Sequence, residues 1–469
     1  MHIKTRFAPS SSGLLHIGNI RTALYSWLFA KKHGGSFVLR IEDTDINRSN
    51  IHFIHDIIKT LNWLGIHWDC GPYLQSERLL IYKEKIDSML DSGHAYKCYC
   101  SVERLEKLRL YQISQGQKPQ YDRVCRNSKV QSIGKDYVIR FKNPLSGQVC
   151  FHDQIRGKII FNNLELDDLI IQRRNGMPTY NFCVVIDDLL MGITHVIRGE
   201  DHINNTPRQI NILTSLHAFI PHYAHVSMVI DHDKNNLSKR KSAMSILKYK
   251  NSGFLKEAIL NYVLKLGWSY GDREIFNILE MKKLFSIRNI NKSASEFNFN
   301  KLLWFNNYYL NNLPINDYLI NIFKKRLIHD KIFYKNGPKL SSIISLLRSR
   351  CNTINEMSIQ SLFFFTRIKY FHNNLIKKYC IKENILLLSI IYKNLFFIKN
   401  WSAENIILIL KKISIKYNCL IKNICMPVRI AITGMENTPS INHIVEIIGK
   451  KESLIRIRIF YSFIKKNFF

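Results

Sequence analysis

The first 45 residues constrain the fold more than any other stretch, because they read strand, loop, helix, strand. The run IKTRFA from Ile3 is strand-like and breaks at Pro9. A small, hydroxyl-rich loop follows, after which Ile17, Ile20, Leu24, Trp27 and Leu28 recur at helical spacing and predict an amphipathic helix. HGG at His33–Gly35 stops that helix, with glycine free to turn left-handed. SFVLRIE from Ser36 is then a β-branched and aromatic strand, buried at most positions, running into the acidic EDTD. Such a β-α-β beginning predicts a parallel sheet with ligands at the carboxyl ends of its strands.

Farther on, THVIRGED at Thr194–Asp201 reads as another buried strand of that sheet. Between about residues 75 and 190 helix alternates with short strands such as YVIRFKN and KIIFNN, the pattern of an insertion. From about Asn300 the apolar periodicity is helical, as in SSIISLLRSR and AENIILILKKISIKY. There is no internal repeat. A chain of 469 residues is expected to form two to four domains.

The net charge of +32 suits a polyanionic partner, most naturally nucleic acid. It also follows from a composition crowded with Lys, Ile and Asn, so charge alone decides little. No apolar run nears the roughly 18 residues of a membrane helix, and MHIKTRFAPSS lacks the apolar core of a secretory signal. A cytoplasmic protein with no membrane partner is expected, its ten cysteines reduced.

Two segments carry chemistry. At the start of the first helix stand His16, Ile17, Gly18 and Asn19. The unpaired amides and positive dipole end of a helix form an anion site, Gly18 would let a ligand approach the backbone, and His16 could donate to a phosphate oxygen. The bland alternative is a histidine cap. The second segment is NNLSKRKSAMSI, Asn235–Ile246, whose cations and hydroxyls suit a loop closing on a triphosphate, or else a solvated basic turn.

Together the two resemble the HIGH and KMSKS signatures of class I aminoacyl-tRNA synthetases. RFAPSSSGLLHIG, LRIEDTD, PTYNFCVVIDDLLMGITHVIRGEDHINNTPRQ, LSKR and MPVRIAITG narrow the likeness to the bacterial glutamyl-tRNA synthetases. It runs unbroken from residue 1 to about 310 and returns near Met426–Arg458; between, only the helical character is similar.

The resemblance implies a two-step reaction: glutamate attacks the α-phosphate of ATP, releasing pyrophosphate, and the glutamyl group then passes to the 2′-hydroxyl of the terminal adenosine of tRNA(Glu). It implies ATP with Mg²⁺, and catalysis by His16 and Lys239. Pro9, Ser10, Ser12, Gly13, His16, Gly18 and Asn19, with Leu237, Ser238, Lys239 and Arg240, would bind ATP. Arg198, Arg6 and Tyr180 would receive the glutamate side chain, Glu42 its ammonium, and Ser10 would touch it through its hydroxyl; a buried carboxylate wants a bidentate arginine. Asp45 and Asp201 match positions near the tRNA end. Cys98, Cys100 and Cys125 resemble the zinc site of many members, with Asn127 where a histidine ligand often stands. Either Tyr121 completes a structural Zn²⁺ site, or the three thiols are reduced and metal-free.

Departures accompany the likeness. The usual PSPTG is PSSSG, the last position of HIGH is Asn19, the first lysine of KMSKS is Asn236, which bears on ATP affinity, and SKRKS replaces SKRHG.

The implied fold is α/β: a Rossmann-like class I catalytic core with an inserted α+β acceptor-binding domain, followed by an all-α anticodon-binding region. Expected boundaries are 1–75 and 191–245 for the catalytic halves, 76–190 for the insertion, 246–310 for stem contact and 311–469 for the helical domain, in a monomer. Three rivals differ in testable ways. The glutamyl-queuosine relatives end after the core, glutaminyl relatives read RFDDTN for RIEDTD, and a catalytically impaired tRNA-binding protein would activate no amino acid.

Overall fold

The structure is a computed structural model, and it describes residues 2–45, 49–127, 136–234, 244–368, 370–380 and 382–467. The chain divides into two compact units, 1–249 with 259–299, and 250–258 with 300–469. The stretch 246–310 is shared between them.

In the first unit, β1 (Lys4–Phe7), α1 (Ile17–Lys32) and β2 (Ser36–Ile41) are the predicted β-α-β unit, with β1 and β2 parallel and Arg6 opposite Val38. Helix α2 (Ile51–Leu64) leads to β3 (Cys70–Leu74), parallel to the far edge of β2. Later in the chain β9 (His195–Gly199) and β10 (His222–Val226) are also parallel, and β9 lies beside β1, where the Thr194 amide donates to the Lys4 carbonyl at 2.9 Å. Phe37, Val38, Leu39 and Ile41 are all at or below 1% exposure, as an all-parallel strand covered on both faces requires.

Between β3 and β9 lies α3 (Leu79–Asp91), then β4 (Ala95–Cys98), α4 (Val102–Ser114) and β5 (Val138–Phe141). The hairpin β6 (Gln148–Asp153) and β7 (Gly157–Asn162) precedes β8 (Ile170–Gln172) and α5 (Tyr180–Leu190). Strands β4, β5 and β8 form an antiparallel sheet, and α6 (Thr206–Ser215) joins β9 to β10. The hairpin is tied to the parallel layer, since the Gln154 amide donates to the Tyr223 carbonyl at 2.9 Å.

Helix α1 departs from the amphipathic expectation. Beyond its apolar stripe, Arg21, Tyr25 and Ser26 are also buried. Tyr25 donates to the Leu264 carbonyl at 3.0 Å and Arg21 to the Leu266 carbonyl at 3.1 Å, so this polar face points at backbone oxygens rather than water. A central helix covered from two sides buries polar groups this way, provided each finds an acceptor. The helix ends as read: Gly34 sits at φ +62°, where a side chain would be strained.

The second unit is helical, with no strand among its described residues. Its longest helices are Lys382–Phe396, Ala403–Lys416 and Lys450–Asn467. Leu388, Ile391, Ile424, Ile430, Ile457 and Phe460 are fully or almost fully buried at its centre. The buried Arg456 donates to the Phe363 and Ile432 carbonyls at 2.6 and 2.9 Å and pairs with Glu452.

Candidate active site

The carboxyl ends of β1, β2 and β9 converge on a cavity of about 460 Å³. Its floor follows from chain connectivity. Past Phe7 the backbone stays alongside β2, and the Glu42 amide donates to the Pro9 carbonyl at 3.0 Å. This sets Ser10 beside Glu42. Ser10 and Ser12 share a hydrogen bond of 3.0 Å between hydroxyls.

The start of α1 answers why a histidine and a glycine stand there. His16 is the N-cap: its Nδ1 accepts from the Gly18 amide at 3.1 Å, and its own amide donates to Asn19 Oδ1 at 3.1 Å. This is a reciprocal capping box built with histidine. Burial lowers the His16 pKa, so the ring is neutral near pH 7. With Nδ1 accepting, the proton resides on Nε2, which makes that atom a donor. A Cβ at Gly18 would lie 3.0 Å from His16 Cε1. The glycine thus leaves room for the capping ring.

Arg198 is buried at the end of β9. Its Nη2 donates to Thr206 Oγ1 at 2.8 Å and its Nε to His225 Nε2 at 3.2 Å. The guanidinium carbon lies 5.5 Å from the centre of the Tyr223 ring. Its Nη1 is buried and has no partner among the described residues. A buried, unpartnered guanidinium nitrogen is costly to leave so, and it suits an incoming carboxylate.

Beneath the cavity lies a network of buried charges. Arg40, fully buried, pairs with Asp188 at 2.7 Å and approaches Glu42 at 3.5 Å and Asp187 at 3.6 Å. Arg6 approaches the same Asp188 at 3.4 Å. Asp187 also accepts from Gln75, Arg78 and Tyr82 at 2.8–2.9 Å. Burial pushes the Glu42 carboxyl up, to about 7, against the pull of Arg40 and Arg6. Tyr180 approaches His202 Nδ1 through its hydroxyl at 3.2 Å, and burial raises its pKa so that it stays a neutral phenol.

Of the residues singled out in the sequence, Arg6, Pro9, Ser10, Ser12, His16, Gly18, Asn19, Glu42, Asp45, Tyr180, Arg198 and Asp201 all line this one cavity. Gly13 sits on the same loop without lining it. Leu237, Ser238, Lys239 and Arg240, with Asn236, lie outside the described residues. Sequence reasoning missed Arg21, Arg173, His202 and Met228, which also line the cavity. It missed the buried pair Asp187–Asp188 too, although two acids within the apolar run VVIDDLL signal carboxylates that need buried partners.

A second cluster stands at the end of β4. The sulfurs of Cys98, Cys100 and Cys125 lie within 4.8 Å of one another. The Tyr121 hydroxyl is 3.3 Å from Cys98 Sγ and 3.6 Å from Cys100 Sγ, and it accepts from the Cys125 amide at 3.1 Å. Arg140 lies over the Tyr121 ring at 3.8 Å, and Arg104 reaches Cys100 Sγ at 3.6 Å. Burial alone would raise the Cys98 pKa, but bonds from Tyr121, the Cys100 amide and Arg140 bring it below the usual thiol value. Asn127 is exposed.

The family model described as "tRNA synthetases class I (E and Q), catalytic domain" matches residues 2–304. The one described as "Anticodon binding domain" matches 317–461. The chain belongs to the class I tRNA synthetases of the E and Q branch. Within that class it is 51% identical, over 99% of its length and 100% of the relative's, to a protein named glutamate–tRNA ligase from Buchnera aphidicola subsp. Acyrthosiphon pisum. A glutamate–tRNA ligase from Buchnera aphidicola subsp. Cinara cedri is 50% identical over 100% of this chain and 99% of its own. Among solved structures, a glutamate tRNA ligase from Elizabethkingia meningosepticum, in complex with its amino acid, superimposes with a TM-score of 0.87 at 31% identity, covering 98% of this chain and 99% of that one. The helical half, which by sequence reading matched only in character between 310 and Met426, is thus covered as well.

Proposed function

We infer that the chain attaches L-glutamate to tRNA(Glu) at the cost of ATP, as a cytoplasmic monomer. The family's chemistry uses ATP with Mg²⁺, the ion held mostly by phosphates and water. In the first step the α-carboxylate oxygen of glutamate bonds to the α-phosphorus and pyrophosphate leaves. In the second, the 2′-hydroxyl of the terminal adenosine attacks the glutamyl carbonyl and AMP leaves.

One observation carries the glutamate reading: the buried, unpartnered Nη1 of Arg198 shares a cavity with Glu42 and with the capped start of α1. Arg198, with Arg6 and Tyr180, receives the side-chain carboxylate. Glu42 takes the ammonium, with Ser10 beside it. The α1 amides and His16 Nε2–H then neutralise charge on the α-phosphate, joined by Lys239 from its loop. No enzyme nucleophile is needed, because positioning and charge stabilisation suffice. Pro9, Ser12, Gly18 and Asn19 line the nucleotide end, with Gly13 on the same loop. Asp45 and Asp201 lie toward the tRNA terminus.

Residues 1–75 and 191–245 are read as the two catalytic halves, 76–190 as the acceptor-binding insertion, 246–310 as stem contact and 311–469 as the anticodon-binding region. The thiol cluster fits a structural Zn²⁺, which Cys98, Cys100 and Cys125 would hold as thiolates with Tyr121 as an oxygen ligand. Metal analysis of the purified protein tests this: well under one zinc per chain leaves three reduced thiols. The catalytic reading is tested by ATP formation from labelled pyrophosphate with tRNA present. Exchange with glutamate alone is expected. Exchange with glutamine instead would reassign the substrate, and silence with every amino acid would make the chain a tRNA-binding protein.

A further inference from the structure

Arg198 is held by a buried chain that begins 45 residues earlier in sequence, at Asp153, the last residue of β6. Asp153 Oδ2 lies 2.6 Å from His225 Nδ1, both side chains fully buried. The other Asp153 oxygen accepts from the Ile155 and Arg156 amides at 2.9 and 2.8 Å, and Oδ2 also takes the His225 amide at 3.0 Å. A carboxylate so surrounded by donors accepts only, so His225 Nδ1 must carry the proton.

His225 Nε2 then presents a lone pair. It faces Arg198 Nε at 3.2 Å and Thr206 Oγ1 at 3.1 Å. Arginine can only donate, so the lone pair takes the Nε–H. Thr206 accepts from Arg198 Nη2 and donates to the His202 carbonyl at 3.2 Å. Two of the three guanidinium nitrogens are thereby fixed, and Nη1 is the one left unpartnered among the described residues. The Tyr223 ring, stacked on His225 at 5° between planes, fills the space beside the pair. Burial favours the neutral imidazole that the arrangement needs. With the proton on Nε2, two donors would face each other and Arg198 would have to turn.

We propose that His225, oriented by Asp153, is a positioning residue for substrate selection: it fixes the Arg198 guanidinium so that Nη1 is presented to the side-chain carboxylate of the amino acid. This rests on the glutamate reading given above, and the experiment separates the two.

The assay is amino-acid-dependent pyrophosphate exchange by the full chain with tRNA(Glu). In His225→Phe, which keeps an aromatic ring beside Tyr223 but removes the acceptor, KM for glutamate should rise about twentyfold, while kcat stays within about threefold and KM for ATP is unchanged. His225→Gln, whose carboxamide offers both a donor to Asp153 and an acceptor to Arg198, should recover most of the loss at an equal melting temperature. Unchanged glutamate KM in His225→Phe, beside a crippled Arg198→Ala, would overturn the relay alone. So would a parallel fall in kcat and ATP affinity that His225→Gln does not rescue, which marks a merely structural role. Unchanged glutamate KM in Arg198→Ala would sink the underlying glutamate reading instead. Should the phenylalanine variant fail to fold, ¹⁵N spectra of histidine-labelled wild-type enzyme decide, with His225→Gln supplying the assignment: Nδ1-protonated His225 is expected, and Nε2-protonated His225 would refute the proposal.

Discussion

The two ends of the cavity are built differently. At the Arg198 end, buried groups from β6, β9, α6 and β10 hold one guanidinium through partners far apart in sequence. At the start of α1, His16 is held by Gly18 and Asn19, its own near neighbours. The first arrangement is buried and hydrogen-bonded with no substrate present and suits discrimination, because a misplaced carboxylate leaves a buried charge unpaired. The second fixes one donor and one tautomer, and on the proposed reading the remaining phosphate contacts come from Lys239 and its neighbours. Selection of the amino acid is therefore expected to be prepaid in the fold, and phosphate stabilisation to be completed on binding.

The sharpest way to break this contrast is at Arg198. On the proposed reading, Arg198→Ala removes the buried partner of the substrate carboxylate, which costs about 4 kcal/mol. Glutamate kcat/KM should fall about a thousandfold, with KM for ATP unchanged in the same exchange assay. His16→Ala should act on the other axis. Losing one donor to a charged transition state costs about 3 kcal/mol, so kcat falls roughly a hundredfold while glutamate KM moves little. The same change deletes a helix cap worth about 1 kcal/mol, which calorimetry would register as a small drop in melting temperature. If His16→Ala raised glutamate KM as much as it lowered kcat, the two ends would not be separate devices.

The sequence made these two ends legible to different degrees, for a physical reason. A helix cap is local, so His16, Gly18 and Asn19 could be read from four adjacent letters. The resemblance to a family, not the periodicity, pointed to Arg198 and Glu42. What holds them was not legible. Asp153 and His225 are 72 residues apart, and nothing in either local pattern announces a bond between them. The buried polar face of α1 was illegible in the same way: the acceptors of Arg21 and Tyr25, near Leu264 and Leu266, lie some 240 residues away. The thiol cluster, with Tyr121 among the sulfurs, was likewise pointed to by the family resemblance, and its members are close in sequence.

Two smaller effects sharpen the comparison. Burial pushes the Glu42 carboxyl of the unliganded site up from the ordinary 4.5 to about 7. On the proposed reading the substrate ammonium binds the carboxylate form, so protons compete with it. Glutamate KM should rise about tenfold for each unit that pH falls below 7, and Glu42→Gln should abolish that limb while raising KM throughout. The linkage to folding has the opposite sense. With the folded pKa above the unfolded one, this group's contribution to stability is present at low pH and is lost as pH rises from about 4.5 through 7. A KM for glutamate that is flat from pH 8 to 6 would remove Glu42 from the ammonium site.

The smallest expected effect belongs to Gly18, and its sign is informative. Alanine is the better helix former by about 1 kcal/mol, so on propensity alone Gly18→Ala should stabilise α1. Its Cβ, however, would sit 3.0 Å from Cε1 and 3.1 Å from Nδ1 of the His16 ring, tighter than most packed Cβ contacts. The ring must give way by a few tenths of an ångström, which weakens the Gly18 N–H bond and tilts Nε2. Melting temperature should therefore hold or rise slightly while kcat falls about fivefold, the equivalent of roughly 1 kcal/mol in the barrier. Glutamate KM should not change, because Arg198 is held by other elements. If instead ATP binding were lost outright in Gly18→Ala with kcat at saturation intact, the glycine would be there for the ligand's approach and not for the ring, and the capped imidazole would lose its place as the fixed donor of the phosphate end.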